Sequence, residues 1–200
     1  MANILVLNSS VLGEASVSRI LVEEAVRLLS KANPGATVTQ RDFGADPIPH
    51  LTTGSVAGVQ GTPATETELA ARALSNTLIA ELRAADIVVI GAPMYNFSIA
   101  TGLRAWFDYV LRSGETFRYS EAGPQGLLTG KRVIVIESRG GLYSEGPHKA
   151  IDFQEPYLRT LLGFIGLSAV TFVHAEKIGF GLDARQTAIA SAKQVLAAVA

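Results

Sequence analysis

Ile87-Val88-Val89-Ile90-Gly91-Ala92-Pro93-Met94-Tyr95-Asn96-Phe97 runs from an unbroken apolar stretch into a loop of polar and aromatic residues. A second stretch repeats the pattern, with Val133-Ile134-Val135-Ile136 leading into Ser138-Arg139-Gly140-Gly141. Short apolar runs without alternation are the pattern of strands buried on both faces of a parallel sheet. Parallel strands deliver their following loops to one edge, and open α/β sheets bind ligands in the crevice beyond the carboxyl ends. The two loops are therefore expected to lie together.

Working outward, Ile4–Leu7, Ala36–Arg41, Ile87–Ala92, Arg132–Ser138 and Val170–His174 are the strand candidates. Helical periods separate them. Ser16–Lys31 places Val17, Ile20, Leu21, Leu28 and Leu29 on one stripe, and Asn33-Pro34-Gly35 stops it. Thr65–Ala84 carries Leu69, Leu74, Leu78 and Leu82, and Thr101–Arg112, Pro156–Phe164 and Asp183–Val199 supply the remaining helices. Such alternation gives a right-handed, doubly wound sheet with helices on both faces, and strand order 2-1-3-4-5 is expected. No linker or repeat interrupts the chain, so residues 1–200 read as one domain. Gly44–Pro63, about twenty residues rich in glycine and proline, exceeds an ordinary connection and is expected to be functional or mobile. Leu103, Trp106, Phe107, Val110 and Leu111 make a face wide enough to cover a partner subunit as well as the core.

Composition narrows the functional classes. The chain has 200 residues, 48% hydrophobic and 18% charged, which argues against disorder. A formal net charge of −1 provides no electrostatic footprint for nucleic acid. No apolar run reaches the roughly 18 residues of a membrane span, and Met1-Ala2-Asn3 leads directly into a strand rather than a signal peptide. Cysteine is absent, which removes disulfides, thiolate catalysis and sulfur-ligated metal and fits a cytoplasmic enzyme.

The loop after the first strand is rich in hydroxyls: Asn8-Ser9-Ser10, then Ser16-Val17-Ser18 at the start of a helix. A helix N-terminus offers free N–H groups and a favourable dipole to a phosphate, and Ser10, Ser16 and Ser18 add small donors. Ser16 or Ser18 also reads simply as an N-cap. No G-x-G-x-x-G follows Leu7, and Thr129-Gly130-Lys131 has neither the spacing nor the position of a P-loop. No G-x-S-x-G elbow occurs. His50, His148 and His174 lack metal-type spacing, so no metal is expected, and His174 reads as a structural histidine. A flavin ring suits the two strand-end loops. Tyr95 and Phe97 offer apolar area, Asn96 can serve a polar edge, and Gly140-Gly141 lets backbone N–H groups approach a planar ligand. Arg139 is a permanent cation there, expected to tune the ring's electronics. A plain glycine turn with a solvated Arg139 is the competing reading.

At these residues the chain resembles the FMN-dependent NADH-azoreductase family, flavodoxin-like NAD(P)H oxidoreductases that also reduce quinones. The matching segments are Asn8-Ser9-Ser10, Ala92 to Phe97, Thr116-Phe117-Arg118-Tyr119, Ser138 to Gly141 and Leu162-Gly163-Phe164-Ile165-Gly166. The resemblance implies an FMN site in which Ser10, Ser16, Val17 and Ser18 lie on the phosphate side. Met94, Tyr95, Asn96 and Phe97 then lie at the ring, and Ser138, Arg139, Gly140 and Gly141 at its pyrimidine edge. It implies NADH as donor, NADPH as an alternative donor, quinones or azo compounds as acceptors, and a homodimer with active sites near the interface. Tyr119 and Phe164 match aromatic positions on the substrate side. Val17 is apolar where the family often carries a polar residue, and His148–Glu155 differs in length from some relatives. No acid or base residue is demanded, because the cofactor carries the chemistry. Three alternatives stand beside this one: a flavodoxin-type electron carrier, for which −1 is an unusually weak charge; a flavin-free hydrolase on the same fold; and a purely structural protein.

Overall fold

The computed structural model describes residues 1–200. Five parallel strands form the main sheet: β1 (Asn3–Asn8), β2 (Thr37–Asp42), β3 (Ile87–Pro93), β6 (Arg132–Ser138) and β7 (Ala169–Ala175). Their order is β2-β1-β3-β6-β7, the expected 2-1-3-4-5 of a flavodoxin-like fold. Every residue of β3 is buried, which is why its sequence does not alternate. β2 lies at the sheet edge and is mostly exposed, and its Thr-Val-Thr-Gln-Arg-Asp is correspondingly polar. Register places Asn8 opposite Gly91, Pro93 opposite Ser138, and Ser138 opposite Ala175. The loops after β1, β3, β6 and β7 thus leave the sheet at one level.

Helices α1 (Val17–Ala32) and α6 (Leu182–Val199) cover one face, packing Val17, Leu21, Leu29, Ala192 and Leu196 on Ile4, Val6, Val89, Ile134 and Ile136. The other face carries α3 (Glu66–Ala84), α4 (Thr101–Val110) and α5 (Glu155–Phe164) on Leu5, Leu7, Val88, Ile90, Val133 and Val135. α3 starts at a reciprocal cap: Thr65 Oγ1 accepts from the Glu68 N–H at 3.3 Å, while Glu68 Oε2 accepts from the Thr65 N–H at 2.9 Å.

The structure corrects one expectation and adds two elements. The apolar face of α4 is consumed within the chain: Leu103, Trp106, Phe107 and Val110 are all buried, and Trp106 stacks edge-on to Phe107. It is core, not a free partner surface. Gly44–Pro63 contains a short helix, α2 (Val56–Gln60), which packs on α3 through buried Gly58 and Val59. Arg72 of α3 fixes it by donating to the Gly58 carbonyl and, at 2.5 Å, to the Gly61 carbonyl. Between α4 and β6 an antiparallel hairpin, β4 (Phe117–Ser120) and β5 (Gly123–Gly126), was not anticipated, because Gly-Pro-Gln-Gly carries no strand signal.

Candidate functional site

The loop after β1 and the start of α1 form one wall of a crevice beyond the strand ends. Ser16 is the N-cap of α1, its Oγ accepting from the Arg19 N–H at 3.3 Å and lying 3.0 Å from Ser18 Oγ. The first-turn N–H groups of Val17 and Ser18 have no acceptor within the helix. Ser10 Oγ accepts from the Leu12 N–H at 3.2 Å and lies 3.3 Å from the Tyr95 hydroxyl, which also accepts from the Val11 N–H at 3.3 Å. Ser9 turns inward, donating to the Gly91 carbonyl at 2.7 Å. The cap reading of Ser16 and its place in a polar pocket are therefore both realised.

The loop after β3 is a tight turn with an unusual residue in it. Tyr95 and Ser98 exchange backbone hydrogen bonds at 2.9 and 3.0 Å, and the two residues between them have positive φ, 48° at Asn96 and 69° at Phe97. Primed turns demand that geometry. Asn tolerates it, but a phenylalanine there costs on the order of 1–2 kcal/mol. The Phe153 N–H, donating to the Phe97 carbonyl at 3.1 Å, helps to hold it. The strain leaves the Phe97 ring 44% exposed at the crevice mouth, edge-on to Tyr143 at 6.2 Å.

Two adjoining cavities make up the crevice. One, of about 280 Å³, is lined by Ser10, Ser16, Val17, Tyr95, Ser138 and Arg185 among others. The second, of about 260 Å³, is lined by Met94, Asn96, Phe97, Gly140 and Tyr143. Met94 and Gly140 border both. A Cβ at Gly140 would meet nothing within 4 Å, so the backbone there faces open space. One end is thus rich in hydroxyls and helix N–H groups, and the other is a flat aromatic and amide-lined recess.

Several predicted residues sit elsewhere. Ser18 is buried just behind Ser16, and Gly141 lies beneath the Tyr143 ring, outside both linings. The Arg139 guanidinium does not reach the crevice and is not solvated. It is fully buried, donating to Gln154 Oε1 at 3.1 Å and Glu176 Oε1 at 3.3 Å, ion-paired with Asp152 Oδ2 at 3.1 Å, and bound closely to Glu137. The free cation expected at a ring edge is instead a clamped one. Its partners reach the crevice in turn: Gln154 Nε2 donates to the Ala92 carbonyl at 2.8 Å, and Glu176 accepts from the Tyr143 N–H at 2.7 Å. Tyr119 and Phe164 also lie outside it, packed around Phe117 on the hairpin side. Tyr119 borders a separate cavity of about 400 Å³ between α2 and the hairpin. The arginines of that cavity are already engaged, Arg72 by carbonyls and Arg112 by Ser75, Asn76 and Glu115.

His174 joins the buried cluster, its Nε2 2.8 Å from Glu155 and 3.1 Å from Glu137. Burial pushes the Glu137 carboxyl up, and its Oε1 has no hydrogen-bond partner. The hydrogen bond to Glu137 raises His174 against the opposing effect of burial. Glu155 is half-buried, yet Arg159 and His174 hold it below the usual carboxylate range. Glu137, Glu155 and His174 bring potential ligand atoms within 4.8 Å of one another, but Arg139 already supplies the cation that faces Glu137.

Leu12, Ile178, Tyr143 and Arg185 line the crevice without having been singled out from sequence. Tyr143, an aromatic two residues past the glycine pair, was the one with a local signal. Arg185 had none, because only the packing of α6 on α1 brings it there.

A profile for the flavodoxin-like fold matches residues 2–200. An FMN-dependent NADH:quinone oxidoreductase of Hyphomonas neptunium is 66% identical over 100% of this chain and 96% of its own length. Another, from Ralstonia nicotianae, is 50% identical over 94% of this chain and 92% of its own. Among solved structures, an azoreductase from Bacillus anthracis superposes with a TM-score of 0.90 at 29% identity, covering 100% of this chain and 98% of that one. No helix of this chain is long and apolar enough to cross a membrane.

Proposed function

This chain belongs to the flavodoxin-like family of FMN-dependent NADH:quinone oxidoreductases, and on that premise we propose that its crevice holds FMN and serves two-electron transfer from NADH to a quinone or azo compound. One observation carries the reading: two joined cavities, one lined by hydroxyls and a helix N-terminus, the other by aromatic and backbone surface. A phosphate ester suits the first and a planar ring the second. Ser10, Ser16 and the α1 N–H groups would hold the phosphate end, with Ser18 orienting Ser16 from behind. Met94, Asn96, Phe97 and Tyr143 would flank the ring, and Gly140 would admit it closely. When bound, FMN supplies the capacity to accept a hydride and pass two electrons on. The protein's part is to place the ring, exclude water from one side and leave the Phe97 mouth open to donor and acceptor in turn. Residues 1–200 act in this reading as one FMN-binding domain.

The active form in this reading is a homodimer. Phe164 ends α5, whose start adjoins Phe97, and ten residues of helix set the two about 14 Å apart. Tyr119 is 71% exposed. If these aromatics serve the substrate side, they do so for the crevice of a second copy. Sedimentation of the purified protein tests this, and a monomer throughout the micromolar range rejects it.

The test of the activity is the visible spectrum of protein reconstituted with FMN, before and after anaerobic NADH. Flavin bands that bleach fully and return on adding a quinone support the reading. A flat FMN titration, or bound flavin that NADH cannot bleach, rejects it. A stable one-electron state would favour the electron-carrier alternative.

A further inference from the structure

We propose that Arg185 recognises the phosphate of the flavin and makes this protein prefer FMN to riboflavin, an inference that rests on the flavin reading above. Arg185 lies in the first turn of α6 and is the only charged side chain lining either crevice cavity. One Nη donates to the carbonyl of Ala15 at 3.2 Å, the residue just before the N-cap of α1. That places the guanidinium at the hydroxyl-rich end, beside Ser16 and Val17, not at the aromatic end.

It has no ionic partner and is the one such arginine that lines the crevice. Arg19, Arg41, Arg112, Arg139 and Arg159 each sit beside a carboxylate, whereas Arg185 pairs with none. Guanidinium offers five N–H donors, of which the Ala15 contact uses one. The charge balance of the pocket calls for such a group. A phosphate monoester carries roughly −1.5 to −2 at neutral pH, and a helix N-terminus is equivalent to about half a positive charge. Ser10 and Ser16 are neutral, so the α1 wall leaves most of that charge uncompensated. Arg185 can supply a full positive charge and a bidentate fork beside that wall.

The experiment is fluorescence titration of the full-length, flavin-stripped protein with FMN and, separately, with riboflavin, for wild type, Arg185→Gln and Arg185→Lys. Arg185 is partly exposed on a helix surface, so both variants retain the fold, which circular dichroism verifies. Arg185→Gln is expected to raise the Kd for FMN roughly ten- to hundredfold, the range for one charge-assisted hydrogen bond. Its Kd for riboflavin stays unchanged, and Arg185→Lys recovers part of the loss. An unchanged FMN Kd, or equal losses for FMN and riboflavin, overturns the proposal while leaving the flavin site standing. A wild type that binds neither ligand overturns the flavin reading itself, and that outcome is seen before any substitution is made.

Discussion

Replacing Arg139 with methionine keeps most of the volume and removes a fully buried cation from among four carboxylates, of which Glu137 is fully buried and the others half-buried. Breaking a buried ion pair by deleting one partner costs about 3–5 kcal/mol, because a charge is left behind without compensation. The surroundings of each carboxylate decide where in that range the variant falls. Glu176 keeps the Tyr143 and Ser144 N–H groups, and Glu155 keeps Arg159 and His174. Asp152 keeps the Gln154 N–H on its other oxygen. Glu137, wholly buried, keeps only His174. The expected loss is therefore toward the low end, about 3 kcal/mol. In a chain of this size that lowers Tm by roughly 6–12 °C. The loss should depend on pH. Without Arg139 the raised Glu137 carboxyl rises further, so the folded variant binds protons that the unfolded chain, with carboxyls near 4.5, releases at neutral pH. A group raised on folding stabilises at low pH and loses that contribution as pH climbs, so the deficit should be larger at pH 7.5 than at pH 5. Urea unfolding of both proteins at the two pH values measures it. A deficit under 1 kcal/mol, or one that does not change with pH, would refute the account of Arg139 as a buried clamp.

Three further outcomes follow from particular contacts. Gly140→Val should leave stability within about 0.5 kcal/mol, because a Cβ there meets nothing, yet weaken FMN binding at least a hundredfold by filling the border between the cavities; calorimetry of binding and of unfolding separates the two. His174 is raised above 6.5 chiefly by Glu137, so its contribution is complete below pH 6.5 and fades as pH rises through the folded value; the stability gap between wild type and His174→Gln should narrow from pH 6 to pH 9, and a constant gap would contradict it. Gly126→Ala would set a Cβ 2.1 Å from the Gly166 nitrogen, backbone against backbone, and should cost about 2–3 kcal/mol in thermal unfolding as the hairpin lifts from the end of α5.

The sequence by itself determined the layer order and the edge at which the crevice loops gather. Runs such as Ile87–Ile90 and stripes such as Val17, Leu21 and Leu29 are local signals, and five of one alternating with the other admit few topologies. It also determined the chemistry of the two walls, since serines at the start of α1 and glycines after β6 act through the nearby backbone. Tertiary structure alone decided where side chains with distant partners point. Arg139 adjoins Gly140 in sequence, but strand alternation sets it on the face of Glu137, Val135 and Val133, beneath α5, where Asp152, Glu155, His174 and Glu176 converge from other segments. Trp106 lies on a face wide enough for a partner as well as the core, and Phe43 and the core close over it. Arg185 is ordinary in its own helix and enters the crevice because α6 packs on α1, some 170 residues away in the chain. Periodicity and backbone chemistry are carried by neighbours in sequence, whereas charge compensation and burial are set by neighbours in space, which the fold has first to assemble.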